Sequence, residues 1–412
     1  MRQATADVIV TGAGPGGAAT AWRLACSGRR VLLLDRAHFP RPKPCAEYVS
    51  PEAVRILSAM DLLDSALDAG AARLAGMRVR APCGAVVTGE WAAAREFRGG
   101  HGQGIALRRE VLDTLLVDAA RAAGADVREG VRVRDVERDN AGRVVGVVLA
   151  DGVVLRGRLI VGADGLRSTI ARRLQLGSRA RWPRRVAFVT HYTGVTGART
   201  HGEMHVDAEG YVGLAPVDAG LTNVAVVVPM RGARDAAGSA AAFIANWVAR
   251  RPHLAERFAT AVPVGTARGT GPFAWRTRRA WAPGVALVGD AADFFDPFTG
   301  EGVYSALRGA EILAPFAMAA CDAASAGAHA EALREYDRAR RDAFRGKWMV
   351  ERLVAAAVAS PTVMNRVARG LARRRDLADT FVGVTGDVVP ASAVLRPGYA
   401  VALARAAFAV GS

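Results

Sequence analysis

Cysteine and lysine are scarce in this chain, and apolar runs long enough to cross a bilayer are missing. Four cysteines occur among 412 residues, at positions 26, 45, 83 and 321, and no two stand at C-x-x-C spacing. That scatter excludes a disulfide framework and a structural zinc site, so no metal is expected. The want of an apolar stretch of ~20 residues excludes a transmembrane helix. At the N-terminus, residues 8–10 (VIV) lead straight into a glycine-rich loop rather than to a cleavage site; the expectation is a cytoplasmic protein. Only Lys43 and Lys347 are lysines among 55 basic residues. The formal charge of +16 is therefore an arginine excess, and with 45 glycines and heavy alanine use it reads as a GC-rich coding bias. Aromatics are 6% and do not interleave with the arginines, so nucleic acid is not an expected partner. Weak contact with a membrane surface stays open through the basic stretch 364–377 (MNRVARGLARRRDL), whose plainer role is a solvated helix face.

What the chain does have is glycine in register. In residues 8–24 (VIVTGAGPGGAATAWRL) a β-branched run meets Gly12, Gly14 and Gly17 at G-x-G-x-x-G spacing, with a helical pattern behind them. Glycines let the backbone approach a ligand closely, and the N-terminus of the following helix suits a pyrophosphate. A second buried-strand run, residues 29–37, carries Asp35, 18 residues beyond Gly17. A carboxylate there can bond ribose hydroxyls and would repel a 2′-phosphate. Strand, glycine loop, helix, strand and acid in that order indicate a dinucleotide site, without saying which dinucleotide.

Residues 50–70 read as one helix that Ser50 caps, and residues 77–91 as strands around a turn at 82–84. A helix ending at Gly124 and a hairpin turning at Asp151-Gly152 follow. From 184 to 230 long alternating runs predict an antiparallel sheet with one polar face. Two further loops end buried strands: Asp164-Gly165 in VGADGLRST, and Gly289-Asp290 in LVGDAADFFDPFTGEG. Beyond residue 313 the chain reads as helical and arginine-rich.

Taken together, Gly12-Ala13-Gly14-Pro15-Gly16-Gly17 with Asp35, Gly162-Ala163-Asp164-Gly165, and Gly289-Asp290-Ala291-Ala292 with Pro297-x-x-Gly300-x-Gly302 resemble a known superfamily. It is that of the FAD-dependent oxidoreductases of the aromatic-hydroxylase (group A flavin monooxygenase) and geranylgeranyl-reductase-like type, and the resemblance covers residues 5 to 310. It implies an α/β fold: a Rossmann-like three-layer FAD domain interrupted by an antiparallel β-sheet substrate domain, with a helical C-terminal region. The expected segments are 1–75, 101–178 and 276–320 for FAD, 76–100 and 179–275 for the substrate domain, and 321–412 for the helical region. The resemblance implies that the glycine loop and Asp35 hold the adenosine end of FAD, with Arg36 and Val133 in the same set. It places Arg109 near the cofactor, Asp164 by the pyrophosphate and the nicotinamide, and Asp290 on the ribityl chain. Pro297, Gly300, Gly302 and Val303 fall at the flavin ring edge.

Among the chemistries of that superfamily, halogenases are expected to carry a Trp-x-Trp-x-Ile-Pro element, which is absent here. The Tyr-x-Trp-x-Phe-Pro element of isoprenoid reductases has its nearest match at 211–216, with Gly213 and Ala215 in place of both large aromatics. Asp293 stands where hydroxylases with a GDAAH motif show histidine. The combined pattern looks most like bacterial secondary-metabolism monooxygenases, with NAD(P)H as reductant and an apolar aromatic, polyketide or isoprenoid-like substrate. A reductase or dehydrogenase acting on C=C bonds is the alternative, and a non-redox role with structural FAD a third. Such an oxygenase needs orientation and at most a base. Cys45, His191 and Tyr211 are the candidates for a catalytic role, with Tyr192, His201 and His205 on the same run and Arg41 and Lys43 beside Cys45.

Overall fold

The structure, a computed structural model, describes residues 5–94, 96–97, 101–179, 182–197, 199–218, 220–236 and 238–408. Val8, Ile9 and Val10 are completely buried in the strand Ala6–Thr11. This strand lies between Val31–Leu34 and Val154–Gly162 and is parallel to both. Asp126–Arg128 and Val285–Leu287 extend the parallel order on either side, and Trp281–Ala282 adds an antiparallel edge. Strands of this kind are covered on both faces, which is why they read as unbroken apolar runs. The helix Pro15–Cys26 packs against both Arg109–Ala122 and Gly302–Asp322. Val133–Arg138 and Val144–Leu149 form an antiparallel excursion from the start of Val154–Gly162.

A second, seven-stranded sheet runs in the order Val262–Thr270, Arg185–Thr193, Leu221–Pro229, Gly210–Asp218, His201–Asp207, Gly76–Arg80, Val86–Glu90. The strands within 184–230 pair antiparallel, as expected; the one parallel junction is that of His201–Asp207 with Gly76–Arg80, a strand that arrives from the first third of the chain. One expectation needs correction: the sheet lacks the polar face expected of its central strands. Phe243, Ile244, Trp247 and Val248 of the helix Ala240–Ala249 cover the outer side and bury Val212, Val224, Val226 and Val228. The inner side holds Val189, Met204, Ala215, Ala225 and Val227 in a separate core with the C-terminal helices.

The helix expected over 50–70 is two, Pro51–Ser58 and Leu63–Asp68. Asp61 takes φ +56 between them, and the Leu62 amide bonds back to Leu57 O, the geometry of a helix C-terminus. The sheet's two edges differ. Glu90 N donates to Asp379 Oδ1 at 2.8 Å, so the helix Arg375–Thr385 covers the Val86–Glu90 edge. The opposite edge strand, Val262–Thr270, is exposed; it carries Pro263, and its pairing shifts register between Val189 and His191. Among the described residues no helix is long and apolar enough to cross a membrane.

Candidate functional site

One cavity of about 1020 Å³ runs from the glycine loop, between the parallel sheet and the inner face of the seven-stranded sheet. Its nucleotide-side wall contains Gly12, Gly14, Pro15, Gly16, Asp35, Arg36, Arg109, Val133, Asp164, Gly289, Asp290, Pro297, Gly300, Gly302 and Val303. Ala13 and Gly17 of the expected set lie just behind it: Ala13 is fully buried, and a Cβ on Gly17 would fall 1.8 Å from Gly12 O. Gly12 has φ +95, and a Cβ there would stand 2.5 Å from Ala163 O. Gly12→Ala is therefore expected to weaken cofactor retention about tenfold or more, read as flavin absorbance per polypeptide after purification. No side chain caps the helix Pro15–Cys26, and its first turn carries no acid. Its leading amides therefore keep free donors at the cavity.

Asp35 does more than the sequence suggests. Its Oδ2 accepts from Ala13 N at 2.7 Å and its Oδ1 from Ala37 N at 2.8 Å, so it ties the glycine loop to its own strand end. Asp164 Oδ2 accepts from Thr169 N at 2.6 Å, while Oδ1 is shielded and has no hydrogen-bond partner among the described residues. Burial raises the Asp164 pKa. Asp290 is likewise raised by burial, with Lys43 and Arg109 opposing; burial in turn lowers the Lys43 ammonium, and Arg109 adds to this. Arg109 forks onto Asp113 through Nε and Nη2, each at 2.8 Å, with Arg41 Nη2 3.3 Å from the same carboxylate.

Glu47, which sequence reasoning missed, lines the cavity beside Cys45 and is almost fully buried, with φ +60. Its Oε1 accepts from Arg109 N at 2.9 Å. Its Oε2 accepts from Asn223 Nδ2 at 3.0 Å and lies 2.6 Å from His191 Nε2. Asn223 Nδ2 also donates to Cys45 O at 2.9 Å, and Glu47 N donates to Cys45 Sγ at 3.4 Å. Cys45 thus sits in the cavity wall, and His191 reaches it only through Glu47. Tyr211 lines the cavity too, yet its hydroxyl donates to Asp296 Oδ1 at 2.9 Å, and Arg185 Nη1 holds Oδ2 of the same carboxylate at 2.6 Å.

The structure does not bring Tyr192, His201 or His205 to the cavity. Tyr192 packs edge-on against Phe258 on the sheet's outer side. His201 sits by Thr200 and Glu90. His205 bonds Glu203 Oε2 at 2.9 Å and stacks on His253, and Arg257 grips Glu203 through both terminal nitrogens. Burial opposes the Glu203 charge, but the bonds from His205 and Arg257 outweigh it and hold the carboxyl at about 2. Burial pushes His253 down to about 4, with Arg80 and His205 adding to this. Both shifts act in one direction. The His253 contribution is full above its ordinary 6.5 and is lost as pH falls from there toward 4, and the Glu203 contribution is lost from 4.5 toward 2. His253→Gln is expected to flatten the fall in melting temperature between pH 6.5 and 4 while leaving the lower limb in place.

A glycine loop closing the first strand of a parallel sheet, with carboxylates at the ends of neighbouring strands, defines a dinucleotide-binding protein. The chain belongs to the FAD binding domain family, which matches residues 5–349, and is an FAD-dependent oxidoreductase. It is 33% identical over 311 residues to digeranylgeranylglycerophospholipid reductase 2 of Methanopyrus kandleri, covering 73% of this chain and 74% of the relative. To the menaquinone reductase of Mycobacterium tuberculosis it is 30% identical, covering 73% of each. Among solved structures it resembles the myxobacterial chondrochloren halogenase CndH, with TM-score 0.76, 27% identity, and 84% and 81% of the two chains covered. The residues present fit FAD: the cradle at Gly12 would be filled by a Cβ, and the shielded Asp164 Oδ1, Tyr48 hydroxyl and Thr299 Oγ1 along the cavity have no hydrogen-bond partner among the described residues.

Proposed function

We propose that this protein is a monooxygenase that uses NAD(P)H and O₂ to hydroxylate or epoxidise an apolar aromatic, polyketide or isoprenoid-like small molecule. The observation that carries the reading is the continuity of this cavity. Its nucleotide-side wall continues without interruption into a sheet wall of Met77, Val189, Met204, Gly213, Ala215 and Val227. Such a wall excludes water and takes an apolar guest by shape, with few polar groups to orient it. Gly213 and Ala215 face this space, leaving room where larger side chains would fill it.

Gly12 to Gly17 and the helix behind them hold the pyrophosphate, Asp35 and Arg36 the adenosine ribose, with Val133 against the adenine end. Asp290 takes the ribityl chain, and Pro297, Gly300, Gly302 and Val303 form the ring edge. Arg109 and Asp164 complete this wall. When bound, FAD supplies the redox chemistry, accepting hydride and passing electrons to O₂. The chain's own contribution is orientation and a base. Glu47 is the carboxylate placed to take a proton from a substrate hydroxyl, with His191 and Asn223 fixing its orientation. Cys45 and Tyr211 shape the wall beside it.

A second reading, reduction of a C=C bond, is favoured by the reductases at 30% identity and above. Turnover of long-chain phenols and polyenes under ¹⁸O₂ separates the two. Oxygenation gives a product with one ¹⁸O atom and NAD(P)H consumed one for one. A product that gains two hydrogens, formed equally well without O₂, overturns it in favour of reduction.

A further inference from the structure

Both lysines of this arginine-dominated chain stand beside carboxylates of the cofactor-side loops. Lys43 faces Asp290 across the cavity wall, and Lys347, on the helix Ala326–Val358, is buried behind the turn at Gly300. An ammonium is a compact charge with three donors, whereas a guanidinium is a planar fork. The Lys347 pocket has the former shape. Nζ lies 2.8 Å from Glu301 Oε2, 2.7 and 2.9 Å from the two oxygens of Asp387, and 4.1 Å from the centre of the Tyr304 ring.

Glu301 occupies the N-cap position of the helix Gly302–Asp322, yet its carboxylate makes no capping bond. The leading amides of that helix have no acceptor four residues back, and Gly302 and Val303 line the cavity. Glu301 has φ −85 and ψ 5, so its backbone lacks the extended form from which a side chain caps, but a free carboxylate there is still drawn to the positive start of the helix and adds negative charge beside these amides. Here Lys347 draws it to the rear. The Tyr48 hydroxyl and Thr299 Oγ1, on residues more than nine-tenths buried and without a hydrogen-bond partner among the described residues, lie along the same part of the cavity wall.

We propose that Lys347, acting through Glu301 and balanced by Asp387, is a positioning residue that keeps these helix amides free for the flavin end of the cofactor. This rests on the placement of FAD given under the proposed function. FAD is titrated into the deflavinated full-length protein and its variants, and affinity is read from quenching of flavin fluorescence. Lys347→Met, which releases the Glu301 carboxylate toward its own helix, is expected to weaken FAD binding about tenfold. Glu301→Asp, too short to reach Lys347 and still charged at the helix start, is expected to do the same, whereas Glu301→Ala stays within about threefold of the parent. The double variant E301A/K347M recovers most of the loss. The comparison of Glu301→Asp with Glu301→Ala decides the matter even where Lys347→Met does not fold. Aspartate binding FAD better than alanine, or a double variant as weak as Lys347→Met, overturns the proposal. A parent protein that takes up no FAD instead overturns the cofactor placement on which it rests.

Discussion

Glu47→Gln is expected to lower kcat about a hundredfold, the ordinary worth of a positioned general base, while KM and flavin content change only a few-fold. The carboxylate accepts at both oxygens, from Arg109 N, Asn223 Nδ2 and the His191 ring. An amide in its place turns an NH₂ toward one of these groups. Asn223 cannot simply rotate in response, because its Nδ2 also donates to Cys45 O. A purely structural role for Glu47 would show as lost stability and lost flavin with normal turnover of the remaining holoenzyme. His191→Ala separates the roles further. The His191 side chain is one quarter exposed, so added imidazole can reach the gap and is expected to restore part of the turnover. No rescue, together with an unchanged kcat in Glu47→Gln, would rule out the pair as an acid–base device.

Arg109→Met is expected to destabilise the fold by about 3–5 kcal/mol, because it leaves a buried carboxylate without its partner. Asp113 is fully buried and takes both of its short bonds from this guanidinium. Burial works against the charge of Arg109, and Asp113 outweighs it, raising the pKa. Arg41, at 3.3 Å, is a partial substitute only. Urea unfolding reads the loss, and R109M/D113N is expected to recover much of it, since a neutral pair leaves no stranded charge. Equal instability of the single and double variants would point to lost packing instead.

The glycine loop and its surroundings were legible as a fold element because their signals are local. The glycine loop, its helix and Asp35 lie within 30 residues, and backbone geometry alone dictates glycine at position 12. The Glu47 cluster was not legible, because it joins groups 144 and 176 residues apart, across a strap and two strands. Nothing in the sequence around Cys45 distinguishes a carboxylate that turns inward from one that faces water. Alternation correctly indicated strands over 184–230 but misjudged their exposure, since the covering helix at 240–249 reads from its own sequence as just another apolar segment. Lys347 was visible only as a rarity; Glu301 lies far from it in sequence, and Asp387 comes from the helical region that follows the family's matched span.

The two edges of the seven-stranded sheet carry a consequence for how this protein stays dispersed. An open strand edge is a template for pairing with another chain. At Val262–Thr270 the threat is blunted within the strand itself, by a proline that cannot donate, a break in register and the charge of Arg268. At Val86–Glu90 the guard is a different part of the chain, the helices Pro361–Arg373 and Arg375–Thr385, the second of which meets it through Asp379. A polypeptide cut short ahead of residue 361 would keep every described strand and lose that guard. It would aggregate through one exposed ribbon of unpaired amides, and a growing chain carries the same hazard until its last helices leave the ribosome.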